Sequence, residues 1–219
     1  MFDANCLKLM FVAGSQDFYH IKGGKNDRIN ALLDTLELAL QSQITAFQFR
    51  QKGDLALQDP IEIKQLALEC QKLCQKYGVP FIVNDEVQLA LELKADGVHV
   101  GQEDMAIEEV ITLCKKRQFI GLSVNTLEQA LKARHLDGVA YLGVGPIFPT
   151  PSKKDKQVVG VELLKKIRDS GVKKPLIAIG GITMHNAPKL HEYGGIAVIS
   201  TITQAKDKAL VIEKLLNNA

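Results

Sequence analysis

No apolar run in this chain of 219 residues approaches the roughly 20 residues that a membrane span needs. Charge of one sign is lacking too. Against 27 Lys and Arg stand 25 Asp and Glu, a formal net charge of +2. Nucleic acid or an anionic membrane surface therefore finds little to hold as a main partner. Cysteine is scarce: Cys6, Cys70, Cys74 and Cys114 are too few and too scattered for a disulfide framework. Cys70 and Cys74 lie four apart and share one face of an expected helix. No His or Cys pair nearby completes a metal site, so they read as small buried thiols in a reducing cytoplasm. The N-terminus, MFDANCLKLMFVAG, places an acid and no basic head before its short apolar run. It reads as a first strand and not as a signal peptide. Linkers, low-complexity segments and tandem repeats are missing as well, which predicts one domain over residues 1–219.

What is present is a rhythm. With 46% hydrophobic residues the chain has enough apolar material for an ordinary core. Strand-length apolar runs recur at 7–13, 44–50, 80–84, 95–100, 118–123, 138–144, 175–180 and 194–200. Amphipathic stretches such as DRINALLDTLELALQSQ, PIEIKQLALECQKLCQKYG, TLEQALKARHL and GVELLKKIRDSG separate them, and DKALVIEKLLNN closes the chain. Strand then helix, eight times over, predicts an α/β fold of the (β/α)₈ type, a TIM barrel. A doubly wound open sheet shares the alternation, but the count and the absence of GxGxxG after the first strand favour the barrel.

In such a barrel the chemistry sits where strands end. After strand 2, alternation places Gln48, Arg50 and Lys52 on one side and Phe49 and Gln51 on the other. Arg as a planar fork and Lys as a point charge suit a polyanion. Strand 3 ends in Asn84-Asp85-Glu86, and strand 4 in Gly101-Gln102-Glu103-Asp104. Asp85 and Asp104 each read as a helix cap or, taken together at one mouth, as hard oxygen ligands for Mg²⁺ bound with a phosphate chain. Strand 5 ends in Ser123, followed by Asn125. Strand 7 ends in Gly180-Gly181, read as the start of a helix, and strand 8 in Ile199-Ser200-Thr201. Loops 7 and 8 are a recurrent phosphate site in these barrels, through backbone N–H groups and helix dipoles. The loop GPIFPTPSKKDK brackets Thr150 with prolines and then presents Ser152, Lys153 and Lys154. The mouth thus offers two anion sites, one lined by backbone and one by cations facing a metal. No nucleophile–base pair is visible, and His99, inside strand 4, reads as packed or hydrogen-bonded rather than catalytic.

The series QFRQK, FIVNDEVQLALELKADGVHVGQED, IGLSVNT, GPIFPTPSKKD, AIGGIT and VIST resembles the thiamine-phosphate synthase family, in order and spacing, over nearly the whole chain. The resemblance implies an enzyme, a transferase of thiamine biosynthesis. It joins 4-amino-2-methyl-5-(diphosphooxymethyl)pyrimidine to a thiazole phosphate, carboxylated in some members, and releases pyrophosphate. It further implies that Gln48, Phe49, Arg50, Gln51, Lys52 and Asn84 bind the pyrimidine diphosphate, with Ser123 and Lys153. Asp85 and Asp104 would hold Mg²⁺. Thr150, Pro151, Ser152, Gly181, Ile199 and Ser200 would hold the thiazole phosphate. Arg50, Lys52, Ser123 and Lys153 are the implied catalytic set. Small molecules are then the expected partners, and a homo-oligomer is left open. The chain departs from the family's pattern at Glu86, at Asn125 where His is frequent, at Ser152 in place of Thr, and in GSQDFYH after the first strand. A related thiazole tautomerase and a non-catalytic phosphate sensor are the rival readings. The full set of Gln48, Arg50, Lys52, Asp85, Asp104 and Lys153 argues against both.

Overall fold

Eight short apolar runs form the strands β1 (Leu9–Ala13), β2 (Ala46–Phe49), β3 (Phe81–Asn84), β4 (Gly97–Val100), β5 (Phe119–Val124), β6 (Val139–Val144), β7 (Leu176–Ile179) and β8 (Gly195–Val198). The computed structural model of the protein describes residues 2–115, 117–150 and 157–217. All eight strands are parallel, and each pairs with the next. Pairing of Leu9, Met10 and Phe11 with Ile196, Ala197 and Val198 closes the sheet. The result is the expected (β/α)₈ barrel.

The helices are α1 (Lys25–Gln41), α2 (Pro60–Tyr77), α3 (Val87–Leu93), α4 (Ile107–Cys114), α5 (Leu127–Ala133), α6 (Gly160–Asp169), α7 (Ser200–Thr203) and α8 (Lys208–Asn217). Local signals set their ends. Asp59 caps α2 by accepting the Ile61 N–H at 2.8 Å, and Pro60 starts it where a missing N–H costs nothing. Thr126 and Gln129 form a reciprocal capping box on α5. None of the described helices is long and apolar enough to cross a membrane.

The even rhythm fails at one place. After β7 the chain makes only a 3₁₀ turn at Ala187–Lys189 before β8. The Asn186 side chain accepts the Thr183 N–H at 2.7 Å and donates to the Gly181 carbonyl at 3.0 Å. These local bonds compete with helix formation, and Pro188 then removes a donor. Gly180-Gly181 therefore does not start a helix, as the sequence had led us to expect. Ser200, expected at the end of the last strand, instead opens α7.

Two cores result from the strand period of two. Outward residues such as Phe11, Phe47, Phe49 and Phe81 pack between barrel and helices. Inward residues Met10, Val12, Ala46, Ile82, Tyr141, Ile177 and Ala197 fill the barrel. Toward the C-terminal ends of the strands the inward positions turn polar, and that change creates the site.

Candidate active site

The floor of the mouth is a line of hydrogen bonds across the barrel. Tyr141 of β6 is fully buried, and its hydroxyl lies 3.0 Å from His99 Nδ1 of β4. His99 Nε2 lies 2.9 Å from Ser123 Oγ at the end of β5. Burial first, and the nearby Cys6 second, push the Tyr141 phenol up, while a hydrogen bond with Gln48 opposes them. The phenol therefore stays neutral. This row fits because β5 and β6 have glycine beside it. A methyl on Gly121 would stand 2.2 Å from Tyr141 Cζ and 2.4 Å from His99 Nδ1, and one on Gly143 would stand 2.8 Å from His99 Cε1. His99 is thus the hydrogen-bonded residue expected from its place in a strand, and it also lines the cavity. Tyr141 was not singled out in the sequence. Its signal was the inward register of Tyr141 and Gly143 in VAYLGV, which becomes informative only once His99 is known to face it.

Above the floor a cavity is lined by Gln48, Arg50, Asn84, His99, Ser123 and Tyr141, among others. Phe49 is the exception to the expected set. Its side chain points outward, 2% exposed, with its ring centroid 6.3 Å from that of Phe81. β2 keeps strict alternation through Phe49, so its ring stands on the face opposite Gln48, as the strand period places it. Gln51 also serves the scaffold, with Oε1 accepting from Ser15 Oγ at 3.3 Å and from the Leu57 N–H at 3.1 Å.

At the rim, Lys52 Nζ lies 2.7 Å from Asp85 Oδ2 and 3.8 Å from Asp104 Oδ1. Neither acid caps a helix. The residue preceding α3 is Glu86 and that preceding α4 is Ala106. Asp85 sits at φ 62 in the left-handed region, where Asp is tolerated, with its N–H bonded to the His99 carbonyl at 2.8 Å. Asp104 accepts the Gly101 N–H at 2.7 Å. Burial, and then Asp104, raise Asp85 above the usual carboxylate range, against the pull of Lys52. Burial also acts to raise Asp104, but Asp85, the Gly101 N–H and the Lys52 charge outweigh it and hold Asp104 below that range. Lys52 is itself raised, first by its bond to Asp85. Two converging hard oxygens that already draw a cation between them suit Mg²⁺, which takes one or two carboxylates and completes its shell from phosphate and water. Among the described residues no group of three or more His, Cys, Asp or Glu converges as an all-protein cage. Cys70 and Cys74 are buried free thiols, raised mainly by burial.

A second cavity lies over β7 and β8, lined by Thr150, Gly180, Gly181, Ser200 and Thr201, among others. The loop after β6 is led there by pairing with the end of β7. Ile147 N–H donates to the Ile179 carbonyl at 2.9 Å, and Phe148 N–H to that of Gly180 at 3.0 Å. Gly181 has φ +63, and a methyl there would stand 2.4 Å from the Pro149 carbonyl. Only glycine lets these backbones approach. Thr201 Oγ1 donates to the Ile182 carbonyl, tying α7 to the β7 loop. Ile179, Ala197 and Ile199 line both cavities, so the two share a wall. Asn125 ties the mouth together, with Nδ2 donating to the Gly145 carbonyl. Pro151, Ser152 and Lys153 lie outside the described residues.

Comparison with known proteins identifies the family. The model of the thiamine monophosphate synthase family matches residues 18–202. The chain belongs to the thiamine monophosphate synthase family. It is 93% identical to thiamine-phosphate synthase of Helicobacter pylori over the full length of both chains. It is 52% identical to thiamine-phosphate synthase of Pasteurella multocida, covering 97% of this chain and 96% of that one. The thiamine phosphate pyrophosphorylase of Pyrococcus furiosus superposes with a TM-score of 0.82 at 35% identity, covering 98% and 96% of the two chains. The curated and structural relatives thus extend over essentially the whole chain.

Proposed function

We infer that the chain is a thiamine-phosphate synthase, a transferase of thiamine biosynthesis. It joins the pyrimidinylmethyl group of 4-amino-2-methyl-5-(diphosphooxymethyl)pyrimidine to the nitrogen of a thiazole phosphate and releases pyrophosphate. One observation carries the substrate reading: the two cavities share the wall of Ile179, Ala197 and Ile199. Two ligands seated in them meet across it, with their reacting atoms close and water displaced, which lowers the entropy cost of a two-substrate reaction.

The pyrimidine sits over the Gln48–Tyr141–His99–Ser123 floor, and Asn84 reaches it from β3. Its diphosphate extends toward Arg50, Lys52 and Lys153. The thiazole phosphate occupies the glycine-lined cavity, with Thr150, Gly181, Ile199 and Ser200 around it, and the family resemblance adds Ser152. The C–O bond to the diphosphate breaks first, leaving a carbocation that the pyrimidine ring stabilises, and the thiazole nitrogen then attacks the methylene carbon. No protein nucleophile enters. The work of the protein is to hold both partners and to stabilise charge that appears on the departing diphosphate. Asp85 and Asp104 would hold Mg²⁺, which when bound supplies positive charge to that leaving group. Before such a site fills, Lys52 must give up its bond to Asp85. With its free thiols, the enzyme suits a reducing cytoplasm.

The test is to mix the purified protein with both substrates and Mg²⁺ and to quantify thiamine phosphate and pyrophosphate. Equal amounts of the two, abolished by EDTA and restored by Mg²⁺, are expected. No product from a folded protein that still binds the thiazole phosphate would overturn the reading.

A further inference from the structure

The loop after β1 carries a polar cluster to which the reaction above assigns no role. Ser15 and Gln16 are buried, 1% and 9% exposed. Gln16 Nε2 donates to the Arg50 carbonyl at 2.7 Å and to Asp17 Oδ2 at 2.8 Å. The same carboxylate oxygen accepts the Gly14 N–H at 2.9 Å. Arg50 N–H donates to the Ala13 carbonyl at 3.0 Å. One residue further on, Ser15 Oγ donates to Gln51 Oε1. The segment that leaves β2 is thus gripped at the Arg50 N–H, the Arg50 carbonyl and the Gln51 side chain by residues 13–17. The fit is tight, since a methyl on Gly14 would stand 2.0 Å from the Arg50 carbonyl oxygen.

This cluster is a poor way to fill space. Gln16 Oε1 and Gln51 Nε2 are buried with no hydrogen-bond partner among the described residues. Burial raises the Asp17 carboxyl to about 6, against the Gly14 N–H, the Arg50 charge and the Gln16 amide. Unpaired buried polar atoms lower stability, and apolar side chains of the same shape avoid that cost. What polar groups supply and apolar ones do not is direction. They fix one carbonyl and one amide of the stretch that carries Arg50 and Lys52.

We propose that Ser15, Gln16 and Asp17 form a clamp that positions Arg50 and Lys52 for the diphosphate. The proposal rests on the assignment of those two cations to the leaving group. The clamp residues act through the backbone of Arg50 and the side chain of Gln51, so they are positioning residues. A misplacement of about 1 Å in such a group can reduce rate by roughly 100-fold, which gives a buried clamp its use.

The test compares Gln16→Met, which keeps length and volume but donates nothing, with Arg50→Gln as the reference and Asp17→Asn as a second variant. For Gln16→Met the KM for the pyrimidine diphosphate is expected to rise about 5- to 10-fold with a fall in kcat, while the KM for the thiazole phosphate stays unchanged. Asp17→Asn keeps a carbonyl for Gly14 and Gln16 but loses the charge facing Arg50. It should shift the same KM by about 2- to 3-fold, and it carries the test if Gln16→Met does not fold. A loss confined to kcat, in proportion to the folded fraction, or a parallel shift of both KM values, would overturn the clamp. If Arg50→Gln itself leaves the diphosphate KM unchanged, the assignment of Arg50 fails and the clamp falls with it. If Arg50→Gln is impaired and both clamp variants are not, only the clamp fails.

Discussion

On the β2–β5 side of the mouth the groups that face the ligand are side chains: Gln48, Arg50 and Asn84 line the cavity, and Lys52, Asp85 and Asp104 stand at its rim. On the β6–β8 side the lining combines Gly180, Gly181, two threonines and the serine that opens α7 with apolar side chains, and no charged residue is among the described lining. One half binds by charge carried on long side chains, and the other by backbone brought close. The difference follows from the ligands proposed for them. A diphosphate that must leave needs charge that strengthens as the bond breaks, whereas a monophosphate that only needs holding is served by fixed dipoles. It also implies opposite ways of failing. The first half is damaged by removing atoms, the second by adding one.

The largest effect is expected from Lys52→Ala. Removing one well-placed charge-stabilising donor typically costs about 2.7–4 kcal/mol in the barrier, or roughly 100- to 1000-fold in kcat. The thiazole phosphate KM should hardly move, and steady-state kinetics with each substrate varied in turn would show it. Lys153→Ala should fall in the same range if that lysine joins Lys52 at the leaving group. Gly181→Ala is the complementary lesion. A single methyl at φ +63, pressed on the Pro149 carbonyl, should raise the thiazole phosphate KM about 10- to 100-fold, from strain of about 1–3 kcal/mol. The diphosphate KM should be spared. Equal damage to both constants by either variant would break the division of the mouth into two halves.

Much of this division is legible in the chain. Charged residues at strand ends stand out because an apolar strand gives them contrast. Gln48, Arg50 and Lys52 follow from a period of two, and Asp85 and Asp104 from the ends of neighbouring strands. Phe49 shows where a contiguous motif misleads: QFRQK reads as one binding segment, yet alternation sends that ring into the outer core. The helix expected after Gly181 shows another limit. Asn186 and Pro188 act locally against it, but the pull of the Asn186 side chain on the Gly181 carbonyl appears only in three dimensions.

Gly121→Ala sharpens the contrast from below. Its methyl would collide with Tyr141 and His99, and overpacking of this kind costs about 1–3 kcal/mol of stability. Thermal or denaturant unfolding should register the loss, and any kinetic defect should appear on the pyrimidine side, which stands on that floor. The smallest effect is expected at Asp17. Its folded pKa, about 6, exceeds the ordinary 3.8, so the native state binds that proton more tightly than the unfolded chain. The contribution is therefore fully present below about pH 4 and is lost as pH rises through about 6. Asp17→Asn has nothing to ionise there. Its stability relative to the parent should rise by about 2 kcal/mol between pH 4 and pH 8. Parallel stability–pH curves for the two proteins would contradict this.

The sequence by itself determined the order and number of the strands and the polar character of their ends, because hydrophobic periodicity and turn chemistry are local properties of the chain. Only the tertiary structure decided which polar residues meet. The Gln48–Tyr141–His99–Ser123 floor spans β2, β4, β5 and β6, and the grip of Gln16 on Arg50 crosses 34 positions of sequence. Such contacts depend on barrel closure and on the space left by glycines at the crossing points. No local pattern encodes them, since each partner is ordinary in its own segment and becomes specific only opposite the other.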